Sequence, residues 1–271
     1  MGMDIRRIAN HVLLSDMNYI SSDKALLPEL AGKRIFDTPI FGFGDPNDPY
    51  FTELDETELK MIHPKEWFPS VKTIISVFFP YSAELKRINK IKKDRLSYEW
   101  LHVRIDGQAL ISKFLKEMKE EIEKEGYGAM IPFQDPRYRS SRFSDPLNDF
   151  TKFSSNWSER HVAYACGLGT FSLKRAMITE KGAAGRFGSI LTTMGTEFTE
   201  CRKGLYDNCT MCGACIKKCP ASAISLENGK DNSKCAEYLG KILKEHDPYY
   251  GCSECQVGVP CENKIPKKGK L

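Results

Sequence analysis

The segment CTMCGACIKKCP, residues 209–220, sets Cys209, Cys212, Cys215 and Cys219 in a C-x2-C-x2-C-x3-C-P run. Three thiolates at every third position wrap one face of a cubane iron–sulfur cluster, and in two-cluster ferredoxins the fourth points away to a different cluster. Zinc, the alternative metal, usually takes its cysteines as two separated pairs. Two cubanes require a second cysteine group downstream, and Cys235, Cys252, Cys255 and Cys261 supply it. The economical assignment places Cys209, Cys212, Cys215 and Cys261 on one 4Fe-4S cluster. Cys219, Cys235, Cys252 and Cys255 then hold the second. Gly213 and Ala214 let the backbone approach the sulfide faces, and Pro220 turns the chain after its cysteine.

Nine of the ten cysteines lie between Cys201 and Cys261, and Cys166 lies before them. Such crowding at one end reads as metal binding, because a disulfide scaffold is expected to staple a small secreted fold. Cys166 reads as a buried apolar residue. Cys201 reads as a free thiol, with a ligand or redox role as its alternative. The formal charge of +4 over 271 residues does not by itself point to nucleic acid. No signal peptide is read at the N-terminus, and no stretch reaches the roughly 20 apolar residues of a membrane span. The expected location is the cytoplasm.

The elements that must position these cysteines are mixed. VKTIISVFFPY, residues 71–81, is a β-branched and aromatic run that suits a buried strand. From Ser97 to Glu125 the period becomes helical, with Leu110, Ile111, Phe114, Leu115, Met118 and Ile122 on one face and Gly126 as the stop. YGAMIPF, residues 127–133, reads as a second strand. Residues 134–157 show no period and read as a long loop of the kind that forms lids, binding loops or surface connections. Residues 158–193 read as a short helix capped by Ser158, a turn at Gly167 and Gly169, and two strands joined by a second glycine-rich turn. A lone histidine such as His102 in the amphipathic helix reads as packed or solvated.

Several segments resemble a known family. CTMCGACIKKCP, CAEYLGKI and YYGCSECQ resemble the double-cluster module of the epoxyqueuosine reductases and the related reductive dehalogenases. Upstream, VKTIISVFFPY and ERHVAYACGLGTFSLKRAMITEKGAAGRFGSILTT resemble that family's early strand and the segment leading into its clusters. The resemblance covers most of the chain from about residue 68. It implies an α+β fold: a nitroreductase-like N-terminal domain, residues 1–198, joined to a bacterial-ferredoxin-like double-cluster module, residues 199–271. It also implies a corrinoid, cobalamin, held between them and reduced by the nearer cluster, with flavin as the other cofactor such a fold takes. Two positions depart from the family. Its acidic proton donor lies seven residues before the Arg of an Glu-Arg pair, where this chain has Phe153 before Arg160. The last cysteines, CQVGVPC, are two residues further apart than the family's usual gap.

Candidate catalytic residues are Tyr138, Asn156 and His161, and candidate cofactor contacts are Trp157, Gly167 and Gly169. The leading expectation is a reductase that passes single electrons from two clusters to a corrinoid, acting on a small or tRNA-borne substrate, with a ferredoxin or flavodoxin as donor. The alternative is an electron carrier that reduces a partner protein, with Lys217 and Lys218 as a docking patch. Arg137, Arg139 and Arg142, interleaved with Tyr138 and Phe143, are the residues that could contact tRNA.

Overall fold

A computed structural model describes residues 5–56, 60–91, 96–140, 155–199 and 204–267. In chain order its first elements are α1 (Ile5–Leu14), β1 (Ile40–Gly44), α2 (Pro49–Glu56), α3 (Pro64–Trp67) and β2 (Thr73–Pro80). Next come α4 (Ala83–Ile91), α5 (Tyr98–Lys124), β3 (Ala129–Met130), α6 (Glu159–Ala165), β4 (Gly169–Phe171), β5 (Met177–Thr179) and β6 (Gly185–Thr192). The cysteine-rich end adds α7 (Ala214–Lys217), β7 (Ile224–Ser225), β8 (Gly229–Lys230) and α8 (Asn232–His246).

The main sheet has the order β1-β2-β6-β3, and every pairing is antiparallel. All eight residues of β2 are buried, as expected for a strand covered on both faces. Side chains alternate along it. Ile75, Val77 and Phe79 face the core that holds Leu110, Ile111, Phe114 and Leu115 of α5. Ile74 joins Trp157, Val162 and Cys166 on the opposite side, and Phe78 packs there with Ala163 and Tyr164. The sheet therefore lies between α5 and α6, with Ala9 and Val12 of α1 adding to the α5 side.

The helix expected from Ser97 to Glu125 runs from Tyr98 to Lys124, and Gly126 takes a φ of 85° just beyond it. The second expected strand is shortened to Ala129–Met130. Pro132 has no N–H to offer a ladder and begins a 3-10 turn instead. Residues 158–193 hold three strands rather than two, because the turn after α6 leads into a separate β4–β5 hairpin before the glycine-rich turn reaches β6. Ser158 stands at the N-cap of α6, but its hydroxyl makes no cap bond. It meets His161 Nδ1 at 2.8 Å instead.

The cysteine-bearing segment is stitched onto this sandwich. Ala183 N–H donates to the Cys261 carbonyl at 2.8 Å, and Lys90 pairs with the buried Glu262 at 2.6 Å. Asn89 Nδ2 donates to Ser253 Oγ at 2.8 Å, while Leu239 and Ile242 of α8 pack on Leu101 of α5. The extra residues between Cys255 and Cys261 carry Val257 into the main core. Gly182 adopts a φ of 83°, and a Cβ there would lie 2.2 Å from the Glu262 carbonyl oxygen, so only glycine permits this seam.

Phe114 meets Phe79 edge-on at 5.1 Å between ring centroids and is fully buried. Phe114→Ala is expected to cost about 3–5 kcal/mol of unfolding free energy. Urea denaturation with an unchanged slope checks this, and a loss below 1 kcal/mol would show that the α5–sheet core is not built this way.

Candidate metal centre

Cys209, Cys212, Cys215 and Cys261 line one pocket, together with Gly213, Ala214 and Lys174. The first three come from the turn that leads into α7, and the Ala183–Cys261 bond delivers the fourth from 46 residues further on. Burial and the neighbouring thiols Cys255, Cys261 and Cys209 push the Cys215 thiol up to about 11, with Lys174 acting in the opposite direction. Among the second four, Cys252 is pushed up to about 12, by burial first and then by its neighbours, among them Cys255 and Cys235. Cys255 is raised by burial and by Cys235 and Cys219, against the pull of Lys230 and Lys174. Two sets of mutually facing, partly buried thiols suit ligands that bind as thiolates and release their protons. All eight are free of disulfides. Among the described residues no three His, Cys, Asp or Glu side chains converge on a single-ion site. Four thiols around one pocket suit a cubane, whose ligands sit on separate irons and need not converge on one ion.

Lys174 was not among the residues the sequence singled out. It is 2% exposed, and its Nζ lies 3.2 Å from Cys261 Sγ. Its charge acts on Cys215 of one set and Cys255 of the other, so it stands between them. Only its position after the β4 strand, pointing back into the cysteine region, gives it this role, and no spacing rule marks that. Ala223 N–H adds a backbone donor to Cys219 Sγ at 3.3 Å.

Cations lie near the second set. Arg104 of α5 acts on Arg160 of α6 and on Arg186 of β6, and Cys255 and Cys235 act on Arg160. Burial and the other two guanidiniums hold Arg160 below the ordinary arginine value, although its side chain still reaches solvent. Arg104 Nη2 donates to Tyr250 Oη at 3.1 Å, and the buried Tyr81 lies beside Arg186.

The other candidate residues are largely occupied by the scaffold. Asn156 bridges two segments, accepting from Arg139 N–H at 2.8 Å and donating to the Arg137 carbonyl at 2.9 Å. Tyr138 packs on Phe133 with ring centroids 5.1 Å apart. Trp157 is 1% exposed and donates to Ser189 Oγ at 2.9 Å, which seats its indole in the core. Gly167, with a φ of 72°, turns the chain after α6. Gly169 lies in β4 so close to β5 that a Cβ would meet the Ile178 carbonyl oxygen at 2.3 Å. Both glycines thus serve turn and pairing. His161 is held down to about 4, by burial first and then by Arg160, so its imidazole is neutral near pH 7.

His102 is packed: its Nε2 accepts from Leu26 N–H at 3.0 Å, which places the proton on Nδ1, 2.6 Å from Asp106. Cys166 is fully buried, and burial raises its thiol. Arg137 is committed to Asp135 and to the Glu66 and Trp67 carbonyls, and Arg139 to the Pro136 and Tyr138 carbonyls. Lys218 donates to the Val257 carbonyl at 2.6 Å, while Lys217 is exposed. Arg142, Phe143, Phe153 and Cys201 lie outside the described residues.

The sequence did not single out Glu159 as a site either. Both its carboxylate oxygens are buried with no hydrogen-bond partner, and burial raises its pKa to about 7, an effect that nearby Ser189 and Trp157 offset only in part.

The structure is a mixed helix–strand fold with a ferredoxin-like, cysteine-rich motif towards its C-terminal end. Residues 205–225 match the family model described as a 4Fe-4S binding domain. The chain is similar to the epoxyqueuosine reductases. One from Cyclobacterium marinum is 27% identical over 78% of this chain and 64% of its own length. Another, from Francisella cf. novicida, is 33% identical over 40% of this chain and 33% of its own length. The chain thus spans between one third and two thirds of the length of these relatives. Among solved structures, the epoxyqueuosine reductase from Streptococcus thermophilus aligns with a TM-score of 0.53 at 18% identity, over 97% of this chain and 67% of that one. A catabolic reductive dehalogenase in complex with 3-bromo-4-hydroxybenzoic acid aligns with a TM-score of 0.56 at 17% identity, over 84% of this chain and 30% of that one. At such identities the likeness is one of fold. No helix among the described residues is long and apolar enough to cross a membrane.

Two outcomes are expected from these side chains. Lys174→Met should make the cluster next to Cys261 harder to reduce, because the reduced state carries the extra negative charge. A one-electron couple moves by about 59 mV for each ~1.4 kcal/mol of lost stabilisation, and a redox titration followed by electron paramagnetic resonance reads the shift. Glu159 contributes stability that is complete below pH 4.5 and lost as pH rises through about 7. Glu159→Gln should flatten stability across that window and add on the order of 3 kcal/mol at pH 8; unchanged pH dependence in denaturant titrations would contradict it.

Proposed function

We propose that this chain is an iron–sulfur reductase. Cys209, Cys212, Cys215 and Cys261 hold one 4Fe-4S cluster, and Cys219, Cys235, Cys252 and Cys255 hold another. The clusters deliver single electrons to a corrinoid bound in a nitroreductase-like domain, residues 1–198, for reduction of a small or tRNA-borne substrate. Residues 199–271 form the electron-carrying module in this reading.

The observation that carries the proposal is the gathering of Cys209, Cys212, Cys215 and Cys261 around a single pocket, with the thiols of the second set acting on one another close by. A corrinoid, when bound, supplies a low-potential metal centre able to reduce bonds that no side chain can. The residues present suit such a group: Arg104 Nε and Arg186 Nε are buried without a partner, and they would donate to the amide fringe of a corrin ring. Phe153 offers no proton, so proton delivery falls to another group in this chain, which separates it from the epoxyqueuosine reaction. At the first set, Cys212 and Met211 are exposed beside Leu205 and Tyr206. That apolar rim suits a ferredoxin or flavodoxin donor, and the same rim would serve an electron carrier that reduces a partner protein.

Anaerobic reconstitution followed by iron counting and absorption spectroscopy tests the reading. About eight irons per chain are expected from two cubanes, with uptake of added cobalamin and its reduction once a strong reductant is supplied. Full iron with no corrinoid uptake would overturn the reductase and leave the electron carrier.

A further inference from the structure

Cys252, Cys255 and Cys261 lie on a segment, residues 251–263, that belongs to no helix or strand. Its course is set by what grips it from outside, and part of that grip comes from one face of α4. Lys86, Asn89 and Lys90 follow the i, i+3, i+4 spacing that puts side chains on one helix face. Asn89 serves the second set. Its Nδ2 donates to Ser253 Oγ at 2.8 Å, Ser253 Oγ meets Ser97 Oγ at 2.6 Å, and Ser97 Oγ donates to Asn89 Oδ1 at 2.5 Å. The three side chains close a ring in which each hydroxyl gives one proton and takes one, and none of them is more than 4% exposed. Ser253 stands between Cys252 and Cys255, and its carbonyl accepts from Gln256 N–H at 2.7 Å in the turn that carries Cys255. Lys90 and Lys86 serve the first set. Lys90 Nζ pairs with Glu262 Oε2 at 2.6 Å and Lys86 Nζ donates to Asn263 Oδ1 at 2.6 Å, on the two residues that follow Cys261.

Buried polar pairs gain little stability over apolar side chains of similar volume. What they add is direction, because a fully satisfied network specifies a single arrangement of its members. α4 is itself rooted in the sandwich: Leu85 lies in the main core, and Ser82 Oγ, just before the helix, donates to the Arg34 carbonyl at 2.5 Å. We propose that Lys86, Asn89 and Lys90 are positioning residues for both clusters, Asn89 setting Cys252 and Cys255 on the second and the two lysines setting Cys261 on the first. The inference rests on the two-cluster reading and deepens it. It gives α4, an element without a cysteine, the task of fixing the distance between the two clusters.

Outer partners of metal ligands typically cost roughly 10–100-fold in metal affinity or activity when removed. The test uses the full chain, anaerobically reconstituted, with iron release to excess chelator followed by absorbance. Asn89→Ala is expected to release one half of its iron at least about tenfold faster, with the other half unchanged. Lys90→Met is expected to do the same to the opposite half, so the double variant releases both halves fast. Lys90→Arg, which keeps the ion pair, should release as the wild type does. The spin–spin interaction of the two reduced clusters, read by electron paramagnetic resonance, is expected to change in both single variants while they are still replete with iron. Equal acceleration of all the iron in a single variant, a double variant that keeps one slow half, or rates and spectra like those of the wild type would each overturn the positioning role. Should Asn89→Ala fail to fold, Ser253→Ala opens the same ring. A wild-type chain that takes up only half the iron removes the two-cluster reading and the proposal with it. An iron-replete chain whose variants behave as the wild type leaves that reading standing and removes the proposal alone.

Discussion

The Ala183–Cys261 backbone hydrogen bond is the closure on which the first thiol set depends. Three of its cysteines are local and would gather from the Cys209–Cys215 turn alone. The fourth must return across the whole of α8, and a thiol pocket cannot close until it does. The structure accomplishes this by laying the final segment against the residues that precede β6, the same strand that pairs with the fully buried β2. Cluster geometry is in this way referred to the stiffest part of the molecule. The Gly182 contact with Glu262, the Lys90–Glu262 pair and the seating of Val257 in the main core all reinforce one seam.

Charge placement follows from that closure. Eight thiolates crowded into two adjoining sets need compensation, and it comes from outside the cysteine segment. Lys174 stands on the far side of the β4 strand from α6 in sequence, yet its ammonium reaches Cys261. The arginines lie beyond the second set, on elements of the sandwich. α6 divides its labour across its first turn: the Glu159 carboxylate is buried near Trp157 and Ser189, while Arg160 feels Cys235 and Cys255 of the second set.

The sequence made the parts with a strict period legible. The cysteine run has a spacing few other chemistries use, β2 reads as an unbroken apolar run because both its faces are covered, and α5 follows a period of 3.6. Less was legible where one residue decides the outcome. Pro132 ended the strand that YGAMIPF suggested, and the hairpin at Gly169–Thr179 was hidden because its strands are only three residues each. The polar candidates at Tyr138, Asn156 and Trp157 looked available only because a linear reading cannot show that their hydrogen bonds and ring faces are spent on the scaffold. Lys174, Arg104 and Arg186 were missed for the converse reason. Each is an ordinary cation on its own element, and its meaning comes from groups distant in the chain.

The exposed edge at Met211 and Cys212 carries a further consequence. Were iron held here as proposed, the cluster with the exposed Cys212 would be the one that small oxidants reach first. The two sets would then be unequal in durability, and loss of the outer one would cut the inner one off from a donor while leaving it intact. The exposed edge would act as a fuse.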